Sequence, residues 1–183
     1  MRKFIYCLVA ILALSVYDAS AQKRGDKYVS GNLGLGVTSA IIQGESVAGV
    51  VFAVEPEVGF FPVDNLMLGF SVGYDLEAVS GDTAHTLFVG PKLAYYVPLC
   101  EKLYYTPSLQ VGFCLVAADG AGVPGFGLNT SVFAVEYRPS ERVGISGSLL
   151  SLGYKLLASD GLVLNTVDFG LSIKPSVGVK LYF

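Results

Sequence analysis

The sequence predicts an all-β protein, an eight-stranded antiparallel up-and-down transmembrane β-barrel, and three observations support this. Segments of about ten residues alternate between apolar and small or polar side chains, the pattern of barrel strands that span a membrane. Turns in which a proline precedes an acidic residue recur three times. The chain is 52% hydrophobic with a mean hydropathy of +0.58, yet after its N-terminus no apolar run approaches the ~18 residues of a membrane-spanning helix.

Residues 1–21 are interpreted as a signal peptide and residues 22–183 as the outer-membrane β-barrel domain. Arg2 and Lys3 give a basic start, and the apolar run 4–14 is too short to span a bilayer. Ala19 and Ala21 form an A-x-A cleavage site just before Gln22. An uncleaved N-terminal anchor is the alternative.

Charge and composition exclude several function classes. The 12 basic and 15 acidic residues, less Arg2, Lys3 and Asp18, leave 10 and 14 in the mature chain. This slight acidic excess gives no reason to expect a nucleic-acid partner. We also expect no cofactor, because no motif for one is present.

Alternation predicts eight strands, and an even number returns both termini to one side of the barrel. They are expected at 28–38, 49–60, 66–77, 86–97, 103–116, 126–137, 143–156 and 167–183. The connections opposite the proline turns are expected at 39–48, 78–85, 117–125 and 157–166. All are short, which weakens the hypothesis of an adhesive surface.

The proline turns, at 61–66, 97–103 and 138–143, predict the register of three hairpins. Folding the chain about each turn places Phe60 opposite Leu66 and Val97 opposite Leu103, apolar against apolar. In the third hairpin both strands change phase at one level, near Ser131. Bulges there would explain the change, with poor alternation as the alternative.

The second face of each strand carries small residues and a few charges, so we expect it to line the lumen. A soluble barrel with an apolar interior is the alternative, but such a face would be a poor soluble exterior. The charges expected in the lumen are Glu55, Glu57, Asp75, Glu77, Lys92, Lys174 and Lys180. Eight-stranded barrels are normally filled by their own side chains. We therefore expect a filled lumen, with a narrow pore for ions or small solutes as the alternative.

One ion pair is expected inside the barrel, between Glu57 and Lys92. Glu57 is predicted to lie level with Gly69 on the next strand, and Lys92 close to that level on the strand after it. Because Gly69 has no side chain, the two charges could meet across it. Isolated buried charges are costly, which favours such pairing.

Aromatic residues concentrate beside the proline turns, which predicts an interfacial girdle at the periplasmic end. They are Phe60, Phe61, Tyr95, Tyr96, Tyr104, Tyr105, Tyr137, Tyr182 and Phe183.

The C-terminal strand alternates apolar residues and finishes in phenylalanine, at Val177, Val179, Leu181 and Phe183. In architecture the chain resembles the OmpA/OmpX-like superfamily of small outer-membrane barrels. This segment is similar to the C-terminal insertion signal of that superfamily. The resemblance implies a Gram-negative outer-membrane location with both termini periplasmic, contact with outer-membrane lipids, and recognition by the barrel assembly machinery. We expect a monomer.

Residues that could carry chemistry are few. His85 has Ser80, Asp82 and Thr83 near it in sequence, but no motif fixes a catalytic geometry. We therefore expect no enzyme, and a lipid-modifying activity is a remote alternative. The leading interpretation is a structural or interaction role in the outer membrane.

Cysteine chemistry is not expected to matter to the fold. Cys100 lies in a turn and Cys114 about 36 Å farther up the next strand, at ~3.3 Å per residue. A disulfide needs Cα atoms within about 7 Å, so we expect both thiols to be free. No metal site is expected from this scatter of ligands.

Overall fold

The computed structural model describes residues 22–42, 45–79, 82–118, 121–159, 162–166 and 175–183. The strands are β1 (Lys27–Ile42), β2 (Glu45–Val63), β3 (Leu66–Val79), β4 (Asp82–Tyr95, continued by Val97–Cys100), β5 (Leu103–Tyr105 and Ser108–Ala118), β6 (Ala121–Ser140), β7 (Val143–Ser159) and β8 (Leu162–Thr166 and Ser176–Tyr182). Within these ranges no helix is long and apolar enough to cross a membrane. The predicted signal peptide and Lys174 lie outside the described residues.

The eight strands form a closed antiparallel ring. Each strand pairs with its neighbour in the chain, and β8 pairs with β1 from Tyr28 opposite Tyr182 to Gly34 opposite Ser176. This last pairing joins the two ends of the sheet. The predicted fold class, an up-and-down barrel of eight strands, is therefore confirmed.

The predicted register of the three hairpins is wrong by two residues. Phe60 lies opposite Leu68, not Leu66, and Val97 lies opposite Tyr105, not Leu103. Each turn holds two residues, at 64–65, 101–102 and 141–142, and the pairing shifts beside it. Because side chains alternate with period two, an offset of two residues does not move a strand's side chains to the other face.

The irregularity predicted in the third hairpin is present. The pairing of β6 with β7 shifts between Ser131 and Ala134, as expected for bulges. Tyr105 on β5 donates a hydrogen bond from its hydroxyl to the backbone carbonyl of Val132, which lies within the irregular segment, at 2.6 Å. A side chain thus satisfies a backbone acceptor at a point where the ladder is interrupted.

The strands extend farther than predicted at the end opposite the proline turns. Within the predicted connection 78–85, Ala78 pairs with Thr83 and Val79 with Asp82. Pairing also continues through 39–42, where loop was expected. Small and polar residues at 78–85 hide the alternation, and two successive isoleucines at 41–42 interrupt it, while the backbone ladder continues. The connections themselves, such as 80–81, lie outside the described residues.

Apolar side chains face outward and polar ones inward. The larger outward residues include Leu33, Leu35, Val37, Phe126, Leu149 and Val177, all well exposed. Inward positions hold Glu57, Ser71, Gln110, Glu136 and Lys180, all buried. The alternative of a soluble barrel with an apolar interior is therefore wrong.

Candidate functional site

The lumen is the candidate site, and five aromatic rings cross it near the proline turns. This aromatic layer consists of Tyr28, Phe61, Tyr96, Tyr104 and Tyr182, all buried. Ring centroids are 5.1 Å apart for Phe61 and Tyr96, 5.7 Å for Tyr28 and Tyr182, and 6.3 Å for Tyr96 and Tyr104. The rings therefore contact one another from one wall to the other.

The predicted interfacial girdle is wrong for four of its members. Phe60, Tyr95, Tyr137 and Phe183 are exposed on the outer face, whereas Phe61, Tyr96, Tyr104 and Tyr182 belong to the aromatic layer. Successive residues of a strand point to opposite faces, so adjacent aromatics had to separate.

A pair of glycines makes room for one ring of the layer. Gly59 on β2 lies directly opposite Gly69 on β3. A Cβ atom at Gly59 would lie 2.6 Å from the Tyr28 ring, and one at Gly69 would lie 3.1 Å from its hydroxyl. Tyr28 can therefore lie against the wall, where its hydroxyl donates a hydrogen bond to Glu57.

One ion-pair network is centred on Glu136, whose side chain is 0% exposed. Lys180 Nζ lies 3.1 Å from Glu136 Oε2 and donates to the Tyr96 hydroxyl at 2.6 Å. The hydroxyls of Tyr96 and Tyr182 both donate to the Glu136 carboxylate. The buried charges are thus paired and hydrogen-bonded, which such charges require.

Sequence reasoning missed Glu136, although a signal was available. Val135 and Tyr137 are exposed on the outer face, so the residue between them must face inward. The phase change at Ser131 obscured this alternation. Lys155, which was also missed, lines the lumen on the side of Lys92 that faces away from the proline turns.

A second network is centred on Lys92, next to the aromatic layer on the side away from the proline turns. Its Nζ lies 2.7 Å from Glu57 Oε2 and 3.0 Å from Glu55 Oε1. The level predicted for Glu57 is wrong, since it lies opposite Ser71 and not Gly69. Lys92 lies opposite Gly69, and its long side chain spans the diagonal to Glu57.

The lumen beyond Lys92 contains a polar cavity of about 260 Å³. Its lining is rich in charged and hydroxyl side chains and includes Glu55, Asp75, Glu77, Lys155, Ser131, Ser148, Ser151 and Ser176. A smaller cavity of about 60 Å³ reaches past Lys92 to Lys180. A separate recess at the proline-turn end is lined by Lys102, Arg138, Tyr104 and Tyr182.

The other candidate residues do not converge on a reactive site. His85 Nδ1 lies 2.8 Å from the hydroxyl of Tyr74, an exposed residue of the outer face. Ser80 lies outside the described residues. Cys100 is exposed, Cys114 is buried, and both are free thiols as expected. In the part of the chain that the structure describes, no group of three or more His, Cys, Asp or Glu residues could hold a metal.

Solved structures with this fold include bacterial surface and outer-membrane proteins. Neisserial surface protein A matches with a TM-score of 0.56 and 15% identity, covering 87% of this chain and 97% of that one. Ail, the attachment invasion locus protein of Yersinia pestis, matches with a TM-score of 0.51 and 9% identity, covering 87% and 99%. The outer membrane protein OprG of Pseudomonas aeruginosa matches with a TM-score of 0.50 and 12% identity, covering 91% and 99%.

No protein-family model matches the sequence, and no curated protein matches it either. At these identities the likeness is one of fold, that of the small outer-membrane β-barrels.

Proposed function

We propose that the protein is a monomeric outer-membrane β-barrel with a structural or interaction role, and that side chains close its lumen at the proline-turn end. Two features support the location: the apolar outer face suits lipid, and the fold is that of surface and outer-membrane proteins. The outer-leaflet end would carry the polar cavity. The proline turns and both chain ends would face the periplasm.

The outer face of β8 supports an assembly route through the barrel assembly machinery. Val177, Val179, Leu181 and Phe183 are all exposed on one side of the last strand. This is the alternating apolar pattern of the proposed insertion signal, and its exposure on the outer face makes it accessible to a binding protein.

The observation that carries the closed lumen is the Glu136 network within the aromatic layer. Lys180, Glu136 and Tyr96 are buried together and bonded to one another. The polar cavities lie on one side of this layer and the turn-end recess on the other. An ion crossing the barrel would have to displace these side chains and break their hydrogen bonds.

Planar-bilayer conductance tests the proposal. Wild-type protein should give little steady current, whereas Tyr96→Ala should raise conductance because it removes a ring from the layer. Tyr95→Ala is the matched control, since Tyr95 is exposed on the outer face. A steady wild-type current that Tyr96→Ala leaves unchanged would overturn the closed lumen.

A narrow pore is the second candidate function, and the polar cavities favour it. They extend from the lumen beyond Lys92 to Lys180, and the aromatic layer separates them from the turn-end recess. A steady wild-type current, altered in ion selectivity by Lys92→Met, would support the pore.

Processing after Ala21 is part of the proposal. The A-x-A site at residues 19–21 supports it, and the mature protein would begin at Gln22.

A further inference from the structure

The residue that would become the N-terminus is glutamine, and it is buried. Gln22 is 1% exposed, and its backbone carbonyl accepts a hydrogen bond from the Asn65 N–H at 3.2 Å. Gly25 N–H donates to the Phe61 carbonyl at 2.8 Å. The segment 22–25 is therefore held against the turn between β2 and β3.

The polar atoms of the Gln22 side chain are unsatisfied. Its Oε1 and Nε2 atoms are both buried, and neither has a hydrogen-bond partner among the described residues. Buried amides normally find partners, because losing their contact with water is unfavourable otherwise. An open glutamine side chain therefore fits this position poorly.

A free N-terminal ammonium would also fit poorly. Once residue 22 is the first, its α-amine would carry a positive charge at a buried residue. The residues that follow, Lys23 and Arg24, are cationic. Two carboxylates of this region already accept backbone hydrogen bonds: Asp26 from the Lys23 N–H at 3.1 Å and Asp64 from the Arg24 N–H at 2.7 Å.

We propose that Gln22 is a modification site, converted to pyroglutamate after cleavage behind Ala21. The α-amino nitrogen attacks the side-chain Cδ and forms a new C–N bond. The bond from Cδ to Nε2 breaks, and the leaving nitrogen takes up the amine's proton and departs as ammonia. The product is a neutral five-membered lactam, and the step needs no oxidant or reductant.

The lactam lessens both mismatches at once. It abolishes the α-ammonium charge and the unsatisfied Nε2 donors, and it retains one N–H and one carbonyl. Because Gln22 is buried in the folded barrel, cyclisation occurs after cleavage and before the segment docks on the turn. The inference rests on the proposed processing and is independent of whether the lumen conducts.

Intact mass and tandem mass spectrometry of the protein from acid-quenched outer membranes test the inference. We expect the mass of residues 22–183 less one ammonia, and a chain that resists Edman degradation until pyroglutamyl aminopeptidase removes its first residue. Gln22→Asn is the matched variant, because its shorter side chain cannot close a five-membered lactam. It should give the full mass and an N-terminus open to Edman degradation.

The possible failures are distinguishable. A wild-type chain that begins at Gln22, has the full mass of residues 22–183 and is open to Edman degradation would overturn the modification. It would leave the proposed processing intact. A preparation in which the open form is at least half of the protein would overturn it equally. A chain that retains Arg2 and Lys3 would overturn the processing as well.

Discussion

Lys92 on β4 and Glu57 on β2 form a 2.7 Å ion pair across the intervening strand β3. At that level β3 contributes Gly69, which has no side chain, and Ser71, whose side chain is too short to come between the charges. The Glu57 side chain is 1% exposed and also accepts a hydrogen bond from Tyr28. The pair therefore links the wall of the polar cavity to the aromatic layer.

Removing one charge of this pair should destabilise the barrel. We expect Lys92→Met to cost about 3–5 kcal/mol in free energy of unfolding, because Glu57 would be left buried without its cation. Adding Glu57→Gln should recover much of this loss. Urea-induced unfolding from lipid gives the measurement, and Lys102→Met at an exposed turn is the control. Wild-type stability for Lys92→Met alone would mean that the lumen there is wet.

The hydroxyl of Tyr105 should contribute to stability even though the residue faces outward. Tyr105→Phe removes the hydrogen bond to the Val132 carbonyl and keeps the ring. We expect a loss of about 1–3 kcal/mol in free energy of unfolding, the cost of leaving this part-buried acceptor without its partner. Tyr137→Phe, on an exposed tyrosine of the same outer face, should cost less. Equal effects for the two variants would contradict this role.

A side chain at Gly59 should displace Tyr28 from the wall. A Cβ there would lie 2.6 Å from the ring, so Gly59→Ala should cost about 1–3 kcal/mol in free energy of unfolding through overpacking. Gly31→Ala is the control, because a Cβ at Gly31 meets no atom within 4 Å. Trimming the ring with Tyr28→Leu should make the second change, Gly59→Ala, less costly than in wild type. The absence of such coupling would argue against the packing described.

The last residue should matter for assembly more than for packing. Phe183 is exposed, so Phe183→Ser removes little buried surface. We nevertheless expect less protein in the outer membrane and more periplasmic degradation, because the proposed insertion signal ends at this residue. Heat-modifiable migration on gels and quantification of membrane fractions give the readout, with Leu99→Ser at an exposed strand position beside the turn at 101–102 as the control. Native levels of heat-modifiable Phe183→Ser protein would contradict the signal.

Alternation in the sequence was enough to predict the number of strands and the face that most side chains occupy. Alternation is a local property with period two, so Lys92, Glu57 and Asp75 could be assigned to the lumen without any register. The bulged segment near Ser131 was also predictable, since both strands of the hairpin lose phase at one level.

Which of these side chains meet depends on the three-dimensional arrangement of the strands. The two-residue turns and the shifts beside them moved each hairpin register by two residues, so that Glu57 lies opposite Ser71. Closure of the ring then brought Lys180 on β8 to Glu136 on β6 and Tyr96 on β4. Alternation specifies a face but neither a height along the barrel nor a partner across it. Turn geometry and ring closure set both, because they fix the position of every strand relative to the others.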